Sequence, residues 1–469
     1  MTGAFLSDAD AFTVLMEQDP LLRSTITAVI TFDRTPDWEA LRGRIDRATR
    51  LAPSFRRCLD PGRPPLIPPR WVDDPHFDLD WHLRRIAAPS PHTLDTVLDL
   101  AEIAAVTAFD PVRPRWDVTL VEGLDEGAAA LVLRIHHSLT DGVGGIELAA
   151  HIVDFERNPA AQPPMPDVPA PLDRPALGAG GERAWSGVQQ VGGLMAAAAH
   201  AAPKLMVAAA RRPLSIWGDA ASLVASISRM VEPATTTWSP VMTDRRLAWR
   251  FHAFETPLAT LREVSHMAGG SLNAAFLAGI AGGMAHYHAL HDSSVEQVRV
   301  TMPINLRHGD EGVAGNHISL VRVAVPVGDL DPMSRMLEID HTSRTWREEP
   351  ALAYSDAIAG ALNLLPSSVT GGMLKHVDLV ASNVPGLDVD AFVGGARVDG
   401  FYAFGPPIGA AANVTLMSYR DRCCIGLTTD LGAVPDHDVF EACMRVGFDE
   451  VLALAASPAA TTHVGGRRA

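Results

Sequence analysis

Only four cysteines, Cys58, Cys423, Cys424 and Cys443, occur in 469 residues. They are too few and too irregularly placed for a disulfide framework or a zinc site, so a reducing compartment and no bound metal are expected. Positive charge is also short. Thirty-nine Lys and Arg against 55 Asp and Glu give a formal charge of −16, with no concentrated basic patch, which excludes nucleic acid as a partner. No apolar run is long and clean enough to span a bilayer. The best candidate, VGGLMAAAAHAAPKLMVAAA at 191–210, is mostly weakly apolar alanine and is interrupted by His200, Pro203 and Lys204. The opening MTGAFLSDADAF has neither a basic n-region nor an apolar core, so it does not read as a secretory signal, and a cytoplasmic location is expected. A short-period repeat and a G-x-S-x-G elbow are both missing, which excludes a solenoid and a serine-hydrolase nucleophile turn.

What is present is an ordered globular chain, 47% apolar and 20% charged, long enough for two domains. TITAVITF at 25–32 reads as a strand and DWEALRGRIDRATR at 37–50 as a helix. The nearly all-apolar run 128–135 reads as a strand covered on both faces, and 143–155 has helical spacing. Seven prolines between 159 and 176 block helix and central strand alike and place a linker there. Two helices broken near Pro203 or Pro213 are expected over 183–231, packed on the domains or lying on a membrane surface. A second α/β series follows from about Leu247. It has a helix at 271–290, strands at 298–306 and 317–327, a helix over 331–349, a strand around 376–386 and a hairpin of 412–421 with 422–430.

HHSLTDG at 136–142 therefore falls on a strand-to-helix turn. Two adjacent histidines at a strand end point to opposite sides. A histidine with an ordinary pKa of about 6.5 can take and return a proton near neutral pH, so His137 is the candidate general base. Asp141 and Gly142 suit a tight turn, and Asp141 either holds that turn or orients the imidazole. Most of the 18 histidines need no more than a hydrogen-bonded structural role. The HHxxxDG pattern arises by chance in under about 1% of such chains, which favours function here.

On this motif the sequence resembles the bacterial wax ester synthase/diacylglycerol acyltransferases, within the HHxxxDG superfamily of coenzyme A-dependent acyltransferases. Further blocks carry the resemblance over roughly 10–455: WVDDPHFDLDWHLRRIAAPSP at 71–91, FDPVRPRWDVTLVEGL at 109–124, PINLR at 303–307, GNHIS at 315–319, SNVPG at 382–386 and NVTLMSYRDRCCIGLTTD at 413–430. The resemblance implies an α/β fold of two chloramphenicol-acetyltransferase-like domains, each a mixed sheet flanked by helices, with an active-site tunnel at their interface. The expected division is 1–160 and 245–460 for the domains, 161–244 for the linker and connecting helices, and 461–469 for a flexible tail. His137 would be the base, His136, Asp141 and Gly142 would support its loop, and Asn273, Ser382, Asn383 and Trp116 would bind substrate. Acyl-CoA serves as co-substrate with no separate cofactor, and diacylglycerol or a long-chain alcohol is the acceptor. Peripheral attachment to the inner face of the cell membrane or to lipid droplets is the alternative to a purely cytoplasmic location.

The chain departs from the family pattern twice. Arg115 stands where Pro-Leu-Trp usually has Leu, and Ala274 follows Asn273 where the family usually has Asp. These departures motivate a second reading, a relative that binds acyl lipids or acylates a different lipid alcohol. A membrane glycerolipid acyltransferase would need a downstream glycine-rich phosphate block, and a condensation domain an adjoining carrier domain; neither is found. SNVPG is either a rigid turn or the source of an oxyanion donor from Asn383. His286, His288 and His291 do not share one helix face, and Cys423 and Cys424 read as small strand hydrophobes.

Overall fold

The computed structural model describes residues 5–62, 69–140, 142–160, 162–172, 226–229, 232–305, 318–363, 371–372 and 374–456. The first sheet grows around β6 (Ala129–His136). Seven of its eight residues are buried, because β1 (Thr25–Phe32) and β5 (Trp116–Glu122) pair with it on either side and helices cover the sheet. Its one buried charge, Arg134, is matched across the ladder by Asp117 of β5, which it grips through two parallel hydrogen bonds. Helix α2 (Trp38–Leu51) starts where Asp37 accepts the Ala40 N–H at 2.8 Å, and it buries Leu41, Ile45 and Ala48 on one face.

The second sheet has the order β7–β14–β13–β10–β8–β9. Its strands are β7 (Trp249–Pro257), β8 (Gln297–Asn305), β9 (Ile318–Pro326), β10 (Leu379–Val384), β13 (Ala412–Tyr419) and β14 (Arg422–Asp430). β13 and β14 form the expected hairpin, Tyr419 opposite Arg422. Helix α7 (Leu272–Leu290) is apolar almost all round and is correspondingly enclosed, packing on α8 (Pro332–Arg347) and α10 (His437–Ala453). A side chain at Gly447 would lie 2.2 Å from the Gly279 carbonyl, so the α7–α10 crossing depends on small residues.

The two layers are not contiguous in sequence. β11 (Phe392–Val393) and β12 (Ala396–Phe404) leave the C-terminal half and complete the first sheet, whose order is β11–β12–β1–β6–β5–β4, with β4 at Leu83–Ala87. Thr27 pairs with Phe404 and Ile30 with Phe401. The strand crosses hard against β14, where a Cβ on Gly426 would sit 2.1 Å from the Ala403 carbonyl oxygen. A division at 160 and 245 therefore omits from the first sheet two strands that the later sequence supplies.

The proline-rich segment is irregular where it is described, and it lies along α2. Arg47 and Arg50 donate to the carbonyls of Pro164 and Pro166, both at 2.9 Å. The two helices expected within 183–231 lie outside the described residues apart from 226–229, and so does the 461–469 tail. Among the described residues no helix is long and apolar enough to cross a membrane.

Candidate active site

Three backbone contacts fix the histidine pair. The His136 N–H donates to the Arg115 carbonyl, the His137 N–H to the Ser24 carbonyl, and the Leu139 N–H to the His136 carbonyl, each at 2.9 Å. The tight turn thus spans His137 to Leu139. Gly142 is already the first residue of helix α5 (Gly142–Ala149), which ends six residues before the expected 155; Asp141 lies outside the described residues.

The rings diverge as the strand geometry requires. His136 is fully buried, and its Nδ1 accepts the Ser138 backbone N–H at 3.1 Å. Nε2 of the same ring lies 3.0 Å from Glu17 Oε2 and 3.4 Å from Arg115 Nη1. The other Glu17 oxygen accepts the Ser24 N–H at 2.8 Å, and Arg115 Nη1 lies 3.5 Å from Oε2. Burial alone would raise the Glu17 carboxyl. The charges and hydrogen bonds of His136, Ser24 and Arg115 outweigh it and bring the value down to about 2. Glu17 therefore holds both histidines, His136 through its ring and His137 through Ser24.

His137 faces the other way, into a cavity of about 240 Å³ with a strongly apolar wall. One side comes from β1, β5 and β6, through Ile26, Ala28, Val118, Leu131 and Ile135, and from Ala48 of α2. The opposite side comes from β10 and β13, where Ser382, Asn383, Asn413 and Thr415 line the same space as His137. β10 and β13 run parallel with Ser382 beside Thr415. Trp116 closes another part of the wall, held by its Nε1–H to the Phe55 carbonyl at 2.8 Å and by His82 stacked at 4.4 Å. His137, Trp116, Ser382 and Asn383 thus share one cavity. His136 and Asn273 are not on its wall; Asn273 sits in the first turn of α7 with Nδ2 4.0 Å from Met302 Sδ.

The profile of the wax ester synthase/diacylglycerol acyltransferase catalytic domain matches residues 6–276, and that of the family's C-terminal domain matches 314–451. The chain belongs to this acyltransferase family. A Mycobacterium tuberculosis protein named as a diacylglycerol O-acyltransferase is 37% identical over 452 residues, covering 94% of this chain and 90% of the relative. A second from the same organism is 30% identical and covers 97% and 98%. The wax ester synthase/diacylglycerol acyltransferase from Marinobacter aquaeolei VT8 shares the fold, with a TM-score of 0.62, 21% identity, and 96% of this chain and 100% of that one covered. A condensation domain of the calcium-dependent antibiotic synthetase also shares it, with a TM-score of 0.62 at 14% identity and 98% of each chain covered.

In this acyltransferase both departures from the family pattern have local partners. Arg115 occupies the polar layer behind His136, where Glu17 balances its charge. At α7 the Ser271 side chain caps the Ala274 N–H at 3.3 Å, while the Ser271 N–H is taken at 3.1 Å by Asp340 of α8. An acid at position 274 could reach back to that same N–H, as in a capping box; a neighbouring helix supplies it instead. Glu17 and Asp340 were missed in the sequence because both act across long separations. One signal for Glu17 existed: it is a lone acid at the C-terminal end of α1 (Asp8–Met16), where the helix dipole disfavours negative charge. His286, His288 and His291 go to different partners, Glu450, Ser239 and Asp436. Cys423 and Cys424 are buried, and burial pushes their thiols up to about 12 and about 11.

Proposed function

We propose that this acyltransferase joins a long-chain acyl group from acyl-CoA to diacylglycerol or a long-chain alcohol, forming triacylglycerol or wax ester, with His137 as the base. The carrying observation is the position of His137 on the wall of an apolar cavity built from both sheets, a wall that also includes Ser382 and Thr415. In the proposed step the imidazole takes the acceptor's hydroxyl proton as its oxygen attacks the thioester carbonyl. The tetrahedral intermediate then collapses, the C–S bond breaks, and the imidazolium returns the proton to the departing thiolate. Ser382 and Asn383 are the donors assigned to the oxyanion. Glu17, Arg115 and His136 keep the turn rigid from behind, and in the same reading Asp141 supports it.

The apolar wall suits an acyl chain, and only a lipid alcohol would gain from meeting it there. Such an acceptor resides in a bilayer or droplet, so peripheral attachment to that surface belongs to the proposal. The local partners of Arg115 and Ala274 favour turnover over the alternative of a non-catalytic lipid-binding relative. Purified protein given palmitoyl-CoA with dioleoylglycerol or hexadecanol is expected to release CoA and yield the ester by mass spectrometry. His137→Ala should lose at least about 100-fold in kcat while its thermal unfolding stays unchanged. Full activity in that variant would overturn the assignment.

A further inference from the structure

Away from the cavity, three side chains distant in sequence converge. His252 Nε2 on β7 lies 3.1 Å from His437 Nδ1 and 3.8 Å from Asp438 Oδ1, while His437 Nδ1 lies 3.1 Å from the same oxygen. We propose that His252, His437 and Asp438 form a binding site for one divalent transition ion of the zinc, cobalt or nickel class. Two imidazole nitrogens and one carboxylate oxygen match those ions, whereas calcium and magnesium prefer all-oxygen shells. With bonds of about 2.0–2.1 Å, the two 3.1 Å edges subtend angles of about 100° and the 3.8 Å edge about 130°. One ion therefore contacts all three donors from one side and keeps positions open for water.

The surroundings carry both signs. Glu441, one helical turn after His437 and 16% exposed, is paired with Arg445, and His437 and Asp438 open α10 where the helix dipole is positive, so the three direct ligands must supply the affinity. The two imidazoles sit on β7 and at the start of α10, at 17% and 22% exposure, and Asp438 faces solvent at 84%, leaving an entry route. No local motif announces the site, since 185 residues separate the two histidines.

None of the three side chains lines the cavity with His137, so the ion's role is mechanical. The residues preceding His252 on β7 reach the first sheet's layer. Arg250 lies 2.8 Å from Asp99 and 2.9 Å from Glu102 of α4 (Leu94–Val106), and Phe251 stacks on Phe404 at 4.3 Å. A bound ion would tie α10 to the strand that carries these contacts and stiffen the joint between the layers.

The test uses the full-length chain after chelator treatment, with zinc titrated calorimetrically and cobalt(II) read by visible absorption. Wild type is expected to take up one equivalent of zinc at micromolar affinity or better and to unfold several degrees higher when loaded. Asp438→Asn should bind at least tenfold more weakly, and the His252→Ala/His437→Ala pair should lose the cobalt band. Equal zinc affinity in wild type and the double variant overturns the proposal. Should that variant be destabilised, the exposed Asp438→Asn change decides it, and unchanged affinity there overturns the proposal equally.

Discussion

Glu17→Gln tests whether the pair HH is held from behind. The carboxylate accepts from Ser24 through one oxygen and from His136 and Arg115 through the other. An amide has one oxygen, so turned either way it presents donors to donors or leaves the Ser24 N–H without an acceptor. Losing a hydrogen bond to a charged group costs about 1.5–3 kcal/mol. The carboxyl's descent from 4.5 to about 2 corresponds to about 3 kcal/mol, in agreement. Because the folded value lies below the ordinary one, the unfolded chain takes the proton first as pH falls. The contribution is full above about pH 4.5, is reduced by about 1 kcal/mol at pH 4 and by about 2 kcal/mol at pH 3, and is lost as pH falls through about 2. Urea unfolding from pH 8 to pH 4 should show the wild-type advantage of about 2–3 kcal/mol shrinking toward acid. Initial rates of CoA release should fall about 10- to 100-fold in kcat with KM within about twofold, since Glu17 is not on the cavity wall. A variant with wild-type kcat and an unchanged urea midpoint at pH 8 would refute this account of the turn.

Two other perturbations bear on the cavity and on the joint between layers. Ala48→Phe puts a ring into the apolar wall proposed to take the acyl chain and should shift kcat/KM from palmitoyl-CoA toward octanoyl-CoA by at least about tenfold; an unchanged ratio would remove that wall from the acyl site. Burial pushes the Glu102 carboxyl up to about 7, against the opposing pull of the Phe251 N–H and Arg250. The folded state then holds this proton more tightly, so the group's contribution is full below about pH 4.5 and lost as pH rises through about 7. Glu102→Gln should flatten the fall in stability between pH 5 and pH 8, and an identical slope in the variant would contradict the assignment.

Local pattern exposed much of this molecule before its structure. The apolar run ending at His136, the capped α2, the nearly all-apolar α7 and the β13–β14 hairpin each carry their signal within one window. HHSLTDG and SNVPG likewise located His137, Ser382 and Asn383, which meet in one cavity. What escaped depends on distant partners. Nothing around Phe392–Phe404 says that it belongs to a sheet begun at Thr25. Nothing beside Ala274 names Asp340, and the unfavourable place of Glu17 at a helix C-terminus hints at a partner without naming Ser24 or His136.

The crossing strand also sets a timetable. Thr27 must wait for Phe404, 377 residues later, before its outer edge is paired. At about 5–20 residues per second of synthesis, that wait lasts tens of seconds. During it the nascent first sheet presents β1 as an open edge rich in Ile, Val and Thr, an invitation to pair with a neighbouring chain. Slow completion of the C-terminal half, whether by rare codons or truncation, therefore threatens the yield of soluble enzyme through β1, far from where the delay occurs.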